Sequence, residues 1–389
     1  MTEEKSLEEL KIHRDKATSR KNRRIWVLFL VLGLIVISVI GVFIFKAGFT
    51  VSQMNVDNVA AGGILSEPYN EPAPQKDPDR INILLLGLRG ADDPNGGLLT
   101  DTMMILSLKK STSQVALISI PRDLYMTMPG TVTKNNPDGR KEKINFAYAL
   151  GEEKKPGAGL VYAKAAVAQV TGLYIDYSVS VNFAALKEII DILGGIDIHL
   201  DKPFIEEQQW VNGGDIGPSW AFSVKTETVR IENASSSSAT STPATTTIQK
   251  LVFEIPAGNS HLDANTTLYY MRARYSSNDF DRVNRQQKVL LAIKEKAMTL
   301  GILTNPVKLF QIMNSLGKNV RTDMTTADMT NLLSMYPKFE GKDIIHQVFD
   351  NGPEGLLYAS RSTDGAYILL PAGNNYDRIR EKCKNIFNQ

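Results

Sequence analysis

The chain has one cysteine, Cys383, among 389 residues, so an intramolecular disulfide framework and any paired-cysteine metal site are excluded. Stability has to come from a packed core. Histidine is scarce as well. His13, His199, His261 and His346 are scattered without metal-ligand spacing, which disfavours a zinc hydrolase and makes each a surface or loop residue. Charge of one sign is not in excess: 44 Lys and Arg stand against 42 Asp and Glu, and a formal net charge of +2 gives no case for a nucleic-acid partner. A hydrophobic content of 43% is ordinary for globular proteins and argues against disorder throughout.

What is present begins with the uninterrupted apolar run Ile25 to Phe45, long enough as an α-helix to cross the hydrocarbon core and free of charged residues. A secretory signal would have a shorter apolar region ending in a small-x-small site, which Phe45, Lys46 and Phe49 fit poorly. Lys11, Arg14, Lys16, Arg20, Lys21, Arg23 and Arg24 precede the run and only Lys46 closely follows it. The positive-inside bias therefore predicts a cytoplasmic tail over 1–24, a transmembrane helix over 25–45 in contact with membrane lipid, and an extracytoplasmic remainder.

Residues 46–79 read as an extracytoplasmic linker, rich in Pro, Gly, Asn and Asp and without periodicity. A layered α/β/α domain with a central mixed β-sheet is expected over 80–325. Ile81 to Leu86 is a buried strand ending in Gly87, and Thr102 to Leu108 with Gln114 to Ile120 form a hairpin about the turn Lys109 to Ser113. Helix Leu160 to Val170, strand Tyr177 to Val181, helix Phe183 to Leu193 and strand Ile196 to Leu200 follow. About 205–250 the pattern dissolves into a polar surface insertion, Ser-Thr-rich over Ser235 to Thr247 and expected to be mobile. Helical spacing returns at Asp263 to Met271, Phe280 to Leu300, Pro306 to Leu316 and Thr326 to Tyr336. Residues 326–389 are a C-terminal extension, β-like over Asp343 to Leu370 with a last helix near Tyr376.

The densest polar signal is Arg272-Ala273-Arg274, then Asp279 to Gln287. On a helix capped by Asn278 or Asp279, Arg282 and Gln286 share a face, Arg285 sits one position off it, and Phe280, Val283 and Leu290 point to the core. Guanidinium forks at a helix N-terminus suit phosphate. The plainer reading is a solvated face paired with its own acids. Earlier, the hairpin brings Asp101 to the same sheet end as Arg122 and Asp123, where a carboxylate could support Mg²⁺ shared with substrate phosphates, or form a salt bridge with Arg122 alone. Lys143 could add positive charge.

The strings Leu99 to Met104 (LTDTMM), Ser119 to Asp123 (SIPRD), Lys143 to Tyr148 (KINFAY), Leu193 to Asp197 (LGGID), Arg272 to Arg274 (RAR) and Asp279 to Gln287 (DFDRVNRQQ), in that order, resemble the LytR-CpsA-Psr family over roughly Ile81 to Leu300. The resemblance implies a Mg²⁺-assisted phosphotransferase that moves a glycopolymer from a polyprenyl pyrophosphate carrier onto peptidoglycan and leaves polyprenyl phosphate. Carried onto this chain, Arg122, Arg272, Arg274 and Arg282 bind the pyrophosphate, Gln286 supports them, and Asp101 holds the metal. Asp123 and Lys143 match motif positions, and Arg285 and Arg89 join the substrate-binding set. Many members have an aspartate just after the glycine of the first strand and an arginine before the Asp-Thr pair. This chain has Leu88 and Arg89 at the first place and Leu98 to Thr100 at the second. Asp92 or Asp93 could then substitute as the ligand, or the metal be held more loosely, and Arg89 could replace the lost charge. Hydrolysis of the carrier pyrophosphate, and sensing of lipid-linked precursors without turnover, are the competing functions.

Overall fold

The computed structural model describes residues 74–90, 97–209, 218–231, 244–300, 312, 317, 319–339, 341–352 and 355–388. The expected tail, the transmembrane run, the linker up to residue 73, Asp92 and Asp93, and nearly all of the expected helix Pro306 to Leu316 lie outside them. Among the described residues no helix is long and apolar enough to cross a membrane.

The apolar run that begins at Ile81 makes strand β1 (Arg80–Gly90), whose side chains feed two covered faces. β2 (Gly97–Lys109) and β3 (Gln114–Ser119) follow as the expected hairpin, with Arg80 opposite Lys109 and Lys109 opposite Gln114. β4 (Tyr125–Thr127) and β5 (Lys141–Lys143) form a small ladder, and then come α1 (Ala147–Lys154) and α2 (Gly159–Thr171). α2 stops where Gly172 takes the left-handed conformation (φ 66°), a cost-free turn for a residue without Cβ. β6 (Tyr177–Asn182) returns parallel to β1 and leads into α3 (Phe183–Leu193), capped by the Asn182 side chain, and β7 (Ile196–Leu200).

The segment expected to lack structure contains three strands. β8 (Phe204–Glu206), β9 (Phe222–Ile231) and β10 (Ala244–Ile255) pair antiparallel in the order β8-β10-β9. This corrects the reading of 205–250 as mobile throughout; residues 232–243 alone separate β9 from β10 and are outside the described set. Thr226 and Thr247 look polar in a search for apolar runs, yet their branched Cβ atoms suit a ladder. Phe222 and Phe253 anchor it edge-to-face, 5.1 Å between centroids.

β11 (Gly258–Leu262) pairs with β7 and delivers α4 (Ala264–Arg272), whose N-terminal amide at Thr266 is taken by Asp263. α5 (Asp279–Thr299) starts with a full capping box between Asn278 and Asp281. β12 (Val320–Thr322) and α6 (Thr326–Phe339) precede β13 (Ile344–Val348), the hairpin β14 (Leu357–Arg361) with β15 (Tyr367–Pro371), and α7 (Asp377–Lys384).

The main sheet is mixed, in the order β12-β6-β1-β2-β3-β13, with β6 parallel to β1 and β13 parallel to β3. On one face Leu84, Leu86, Ile105 and Ile118 pack with α1, α2 and α7; on the other Leu85, Met104 and Leu117 meet Val283 of α5. This is the expected α/β/α layering. The residues read as an appended C-terminal extension are part of it. β13 is a strand of the main sheet, and Leu357, Leu369, Ile379 and Phe387 are core residues. Buried Arg80 locks the two ends of the domain together, donating to Ser107 Oγ (2.6 Å) and to the carbonyl of Cys383 (3.0 Å). His346 is a surface residue, exposed on β13, where its Nδ1 lies 2.8 Å from Gln287 Oε1, while Gln287 Nε2 donates to Ser119 Oγ. Partial desolvation of the ring lowers the His346 pKa below the ordinary histidine value.

Candidate active site

On the α3–α5 face of the sheet lies a cavity of about 620 Å³. Along α5 the side chains Arg282, Gln286, Leu290 and Ile293 line it at helical spacing, so its wall passes from cationic to apolar over roughly 16 Å of helix. Leu290 was expected in the core; it is 37% exposed and faces this cavity, because the stripe that begins at Arg282 continues through it. Leu186 and Ile189 of α3 and Val179 and Val181 of β6 complete the apolar part. Arg89, Asp101, Arg122, Arg272 and Arg274 join Arg282 in the polar part.

Asp101 reaches the cavity through a defect in the ladder. Thr102 pairs with Gly87 and Thr100 with Leu88, leaving Asp101 as an extra residue on β2 with no partner on β1. A bulge of this kind bends the strand and re-aims the side chain. Gly87 is required opposite it, since a Cβ there would lie 2.9 Å from Thr102 Cβ. Arg122, just past the end of β3, donates from Nη1 to Asp101 Oδ1 at 2.5 Å, and Arg89 Nε stands 3.6 Å from Oδ2. Asp101 and Arg122 thus meet at one sheet end, as their spacing predicts, with Arg89 beside them.

Asp123 is buried and points away from this cavity. Burial alone would raise its pKa, but the Lys143 ammonium at 2.6 Å, with Arg122 and Arg282 nearby, holds the carboxyl below its ordinary range. Lys143 is thus committed to Asp123 and does not line the cavity, contrary to its expected place in the substrate-binding set.

Arg272 and Arg274 leave α4 on a short loop that is clamped from two sides. Gln209 accepts from the Arg274 amide (2.8 Å) and donates to the Arg272 carbonyl (3.2 Å). Buried Glu206 accepts from the amides of Gln208, Gln209 and Ser276 and from the Ser276 hydroxyl. Burial would raise its pKa, yet these donors lower it below the usual glutamate value. Arg285 works from the other side. Its guanidinium donates to the carbonyls of Tyr270 and Ala273 and to Ser277 Oγ, and it lines no part of the cavity. Its expected substrate-binding role is corrected to a structural one, since position 285 falls off the Arg282–Gln286 stripe toward α4. Glu206 and Gln209 were missed by sequence reasoning; their partners lie about seventy residues away with no local motif to mark them.

Among the described residues no three His, Cys, Asp or Glu side chains gather into a metal site. One carboxylate, Asp101, faces a cavity otherwise rimmed by guanidinium groups. That donor set does not make an all-protein cage; among the described residues it offers a divalent cation one protein oxygen, which suits a cation that keeps its other ligands from water or a bound anion.

A profile of the LytR_cpsA_psr family matches residues 51–385. The chain belongs to the LytR-CpsA-Psr family. A Bacillus cereus relative named polyisoprenyl-teichoic acid–peptidoglycan teichoic acid transferase TagU is 25% identical over 258 residues, 66% of this chain and 64% of that protein. The fold matches a Streptococcus agalactiae protein (TM-score 0.56, 17% identity, 80% of this chain and 89% of that one) and Bacillus subtilis TagV (TM-score 0.52, 20% identity, 80% and 99%). In this LytR-CpsA-Psr chain the charged side chains lining the cavity, Arg89 apart, lie on the most strongly patterned strings of the sequence, from Leu99 to Gln287.

Proposed function

We propose that this protein is a phosphotransferase moving a glycopolymer from a polyprenyl pyrophosphate carrier to peptidoglycan. One observation carries the reading: a single cavity joins a cluster of arginines to a wall of aliphatic side chains, the complement of a diphosphate attached to a long hydrocarbon. The names borne by relatives such as the Bacillus cereus transferase agree with it.

In this reading Arg122, Arg272, Arg274 and Arg282 neutralise the diphosphate, and the apolar part of the cavity takes the prenyl chain. A hydroxyl oxygen of the acceptor forms a bond to the sugar-linked phosphorus, the bridging P–O bond to the other phosphate breaks, polyprenyl phosphate leaves with the electron pair, and the hydroxyl proton passes to solvent. Such a transfer asks for positioning and charge stabilisation more than for a covalent nucleophile. Asp101 is the protein ligand offered to Mg²⁺, which when bound would offset charge on the phosphate oxygens. Asp123, ionised and held by Lys143, keeps Arg122 in place. The apolar run 25–45 and its basic flank support a membrane anchor with this domain on the outer side.

The test is transfer of labelled glycan from a polyprenyl pyrophosphate donor to peptidoglycan by the purified full-length chain. Turnover requiring Mg²⁺ and lost in Arg122→Ala and in Arg272→Ala is expected. Donor binding unchanged in Arg272→Ala with Arg282→Ala would refute the reading.

A further inference from the structure

A second cavity, of about 290 Å³, adjoins the first. Asp101, Thr102, Met104, Arg122, Arg282 and Gln286 line both and so form the partition between them. On its far side the apolar lining is Met103, Ile120, Phe280, Val283 and Leu369, and the polar lining is Asp123, Asn278, Asn351 and Tyr367, with Tyr367 at the rim and 43% exposed. Asn351 and Tyr367 come from the C-terminal segment, after β13 and at the start of β15.

Gln286 in the partition supplies an independent sign of a ligand. The residue is only 6% exposed, lines both cavities, and its buried Oε1 accepts no hydrogen bond. A buried amide oxygen is ordinarily satisfied, and one left open at a cavity wall calls for a donor from outside the protein. Phosphate oxygens have no proton to give at neutral pH. A sugar hydroxyl has.

We propose that this second cavity is the acceptor subsite, taking one sugar ring of the glycan that receives the polymer. The inference rests on the transferase reading and adds the place of the second substrate. Phosphoryl transfer needs the incoming oxygen and the leaving oxygen roughly in line through phosphorus. With the leaving lipid phosphate in the first cavity, the nucleophile has to come from across the Arg122–Arg282 partition, which is where the second cavity opens. A pyranose offers an apolar C–H face to the Tyr367 ring, and hydroxyls to Asn351 and to the ionised Asp123 carboxylate. Its attacking hydroxyl donates to Gln286 Oε1 as it is positioned. The cavity volume suits a ring and not an extended polymer, so the rest of the acceptor strand lies outside past Tyr367.

The experiment uses full-length protein and two probes, a polyprenyl pyrophosphate-linked glycan and a soluble disaccharide–peptide fragment of peptidoglycan. Binding of each, and transfer between them, are measured for wild type, Tyr367→Ala, Tyr367→Trp and Asn351→Ala, with thermal unfolding as the check on folding. The expected result is an acceptor KM and fragment Kd raised about ten-fold, one good contact's worth, in each alanine variant. Donor affinity should be unchanged, and Tyr367→Trp should restore acceptor binding. Wild-type transfer with alanine variants indistinguishable from it would overturn the subsite and leave the transferase reading standing. Fragment binding that the variants weaken, without any donor binding by wild type, would do the reverse. Donor affinity falling in step with acceptor affinity would also overturn the proposal, because the two cavities would then not be separate sites.

Discussion

Arg285 donates through Nη2 to the carbonyl of Ala273, the residue between the two arginines that leave α4. The same guanidinium holds the Tyr270 carbonyl at 3.0 Å and Ser277 Oγ at 3.1 Å, so one buried side chain closes the end of α4 against α5. Arg272 and Arg274 owe their placement to a third arginine that lies off the cavity wall. Two kinds of arginine variant follow from this division.

Arg285→Ala strands two buried carbonyl groups and is expected to lower stability by about 2–3 kcal/mol. Arg272→Ala, which removes a cavity-lining charge, is expected to leave the unfolding midpoint within a few degrees of wild type while donor affinity collapses. Thermal melts beside donor titrations separate the two. Equal midpoints for both variants would contradict the assignment.

Acid should unfasten the site through Asp123. Its pKa is depressed in the folded protein, so its contribution to stability is complete above the unfolded value of about 3.9 and is lost as pH falls through the folded value. Urea unfolding between pH 6 and pH 3 should show a loss of stability on acidification that is smaller in Asp123→Asn. A variant with the full wild-type pH dependence would show that the Lys143 pairing is not what depresses Asp123.

Leu290→Trp should fill the apolar part of the cavity without touching the arginines. Donors with long prenyl chains are expected to lose at least ten-fold in affinity, and a donor with a short chain to keep most of it, a gap of about 1.4 kcal/mol or more. Titration of a chain-length series gives the answer.

Gly87→Ala places a methyl group 2.9 Å from Thr102 Cβ, inside the β1–β2 pairing beside the bulge. Overpacking there is expected to cost about 1–3 kcal/mol. Thr102→Gly in the same chain should recover most of the loss by removing the colliding atom. Calorimetry of the single and double variants checks it.

The elements legible in the sequence were those whose pattern is local. The hairpin β2–β3, α3 from Phe183 to Leu193 and β7 from Ile196 to Leu200 have periodic apolar residues and glycine or asparagine punctuation within a dozen positions. The same holds for the α5 stripe of Arg282 and Gln286. What could not be read depended on distant partners. β12 is three residues long and exists as a strand because it pairs with β6. β9 and β10 carry threonine where apolar residues were sought. Arg285 and Lys143 look from sequence like their neighbours in the site, and only their contacts with Ala273 and Asp123 reveal that they face elsewhere. The C-terminal residues seemed an appendage because a parallel strand such as β13 declares its place only when the sheet is assembled.

The ladder between β1 and β2 passes from Thr102 opposite Gly87 to Thr100 opposite Leu88 without including Asp101. Shortening the chain by that one residue would make Thr100 and Thr102 direct neighbours opposite Leu88 and Gly87, so this stretch of the ladder has no use for the carboxylate. A side chain that the architecture could discard, yet which it holds between two guanidinium groups at a cavity wall, is retained for whatever comes to rest against it.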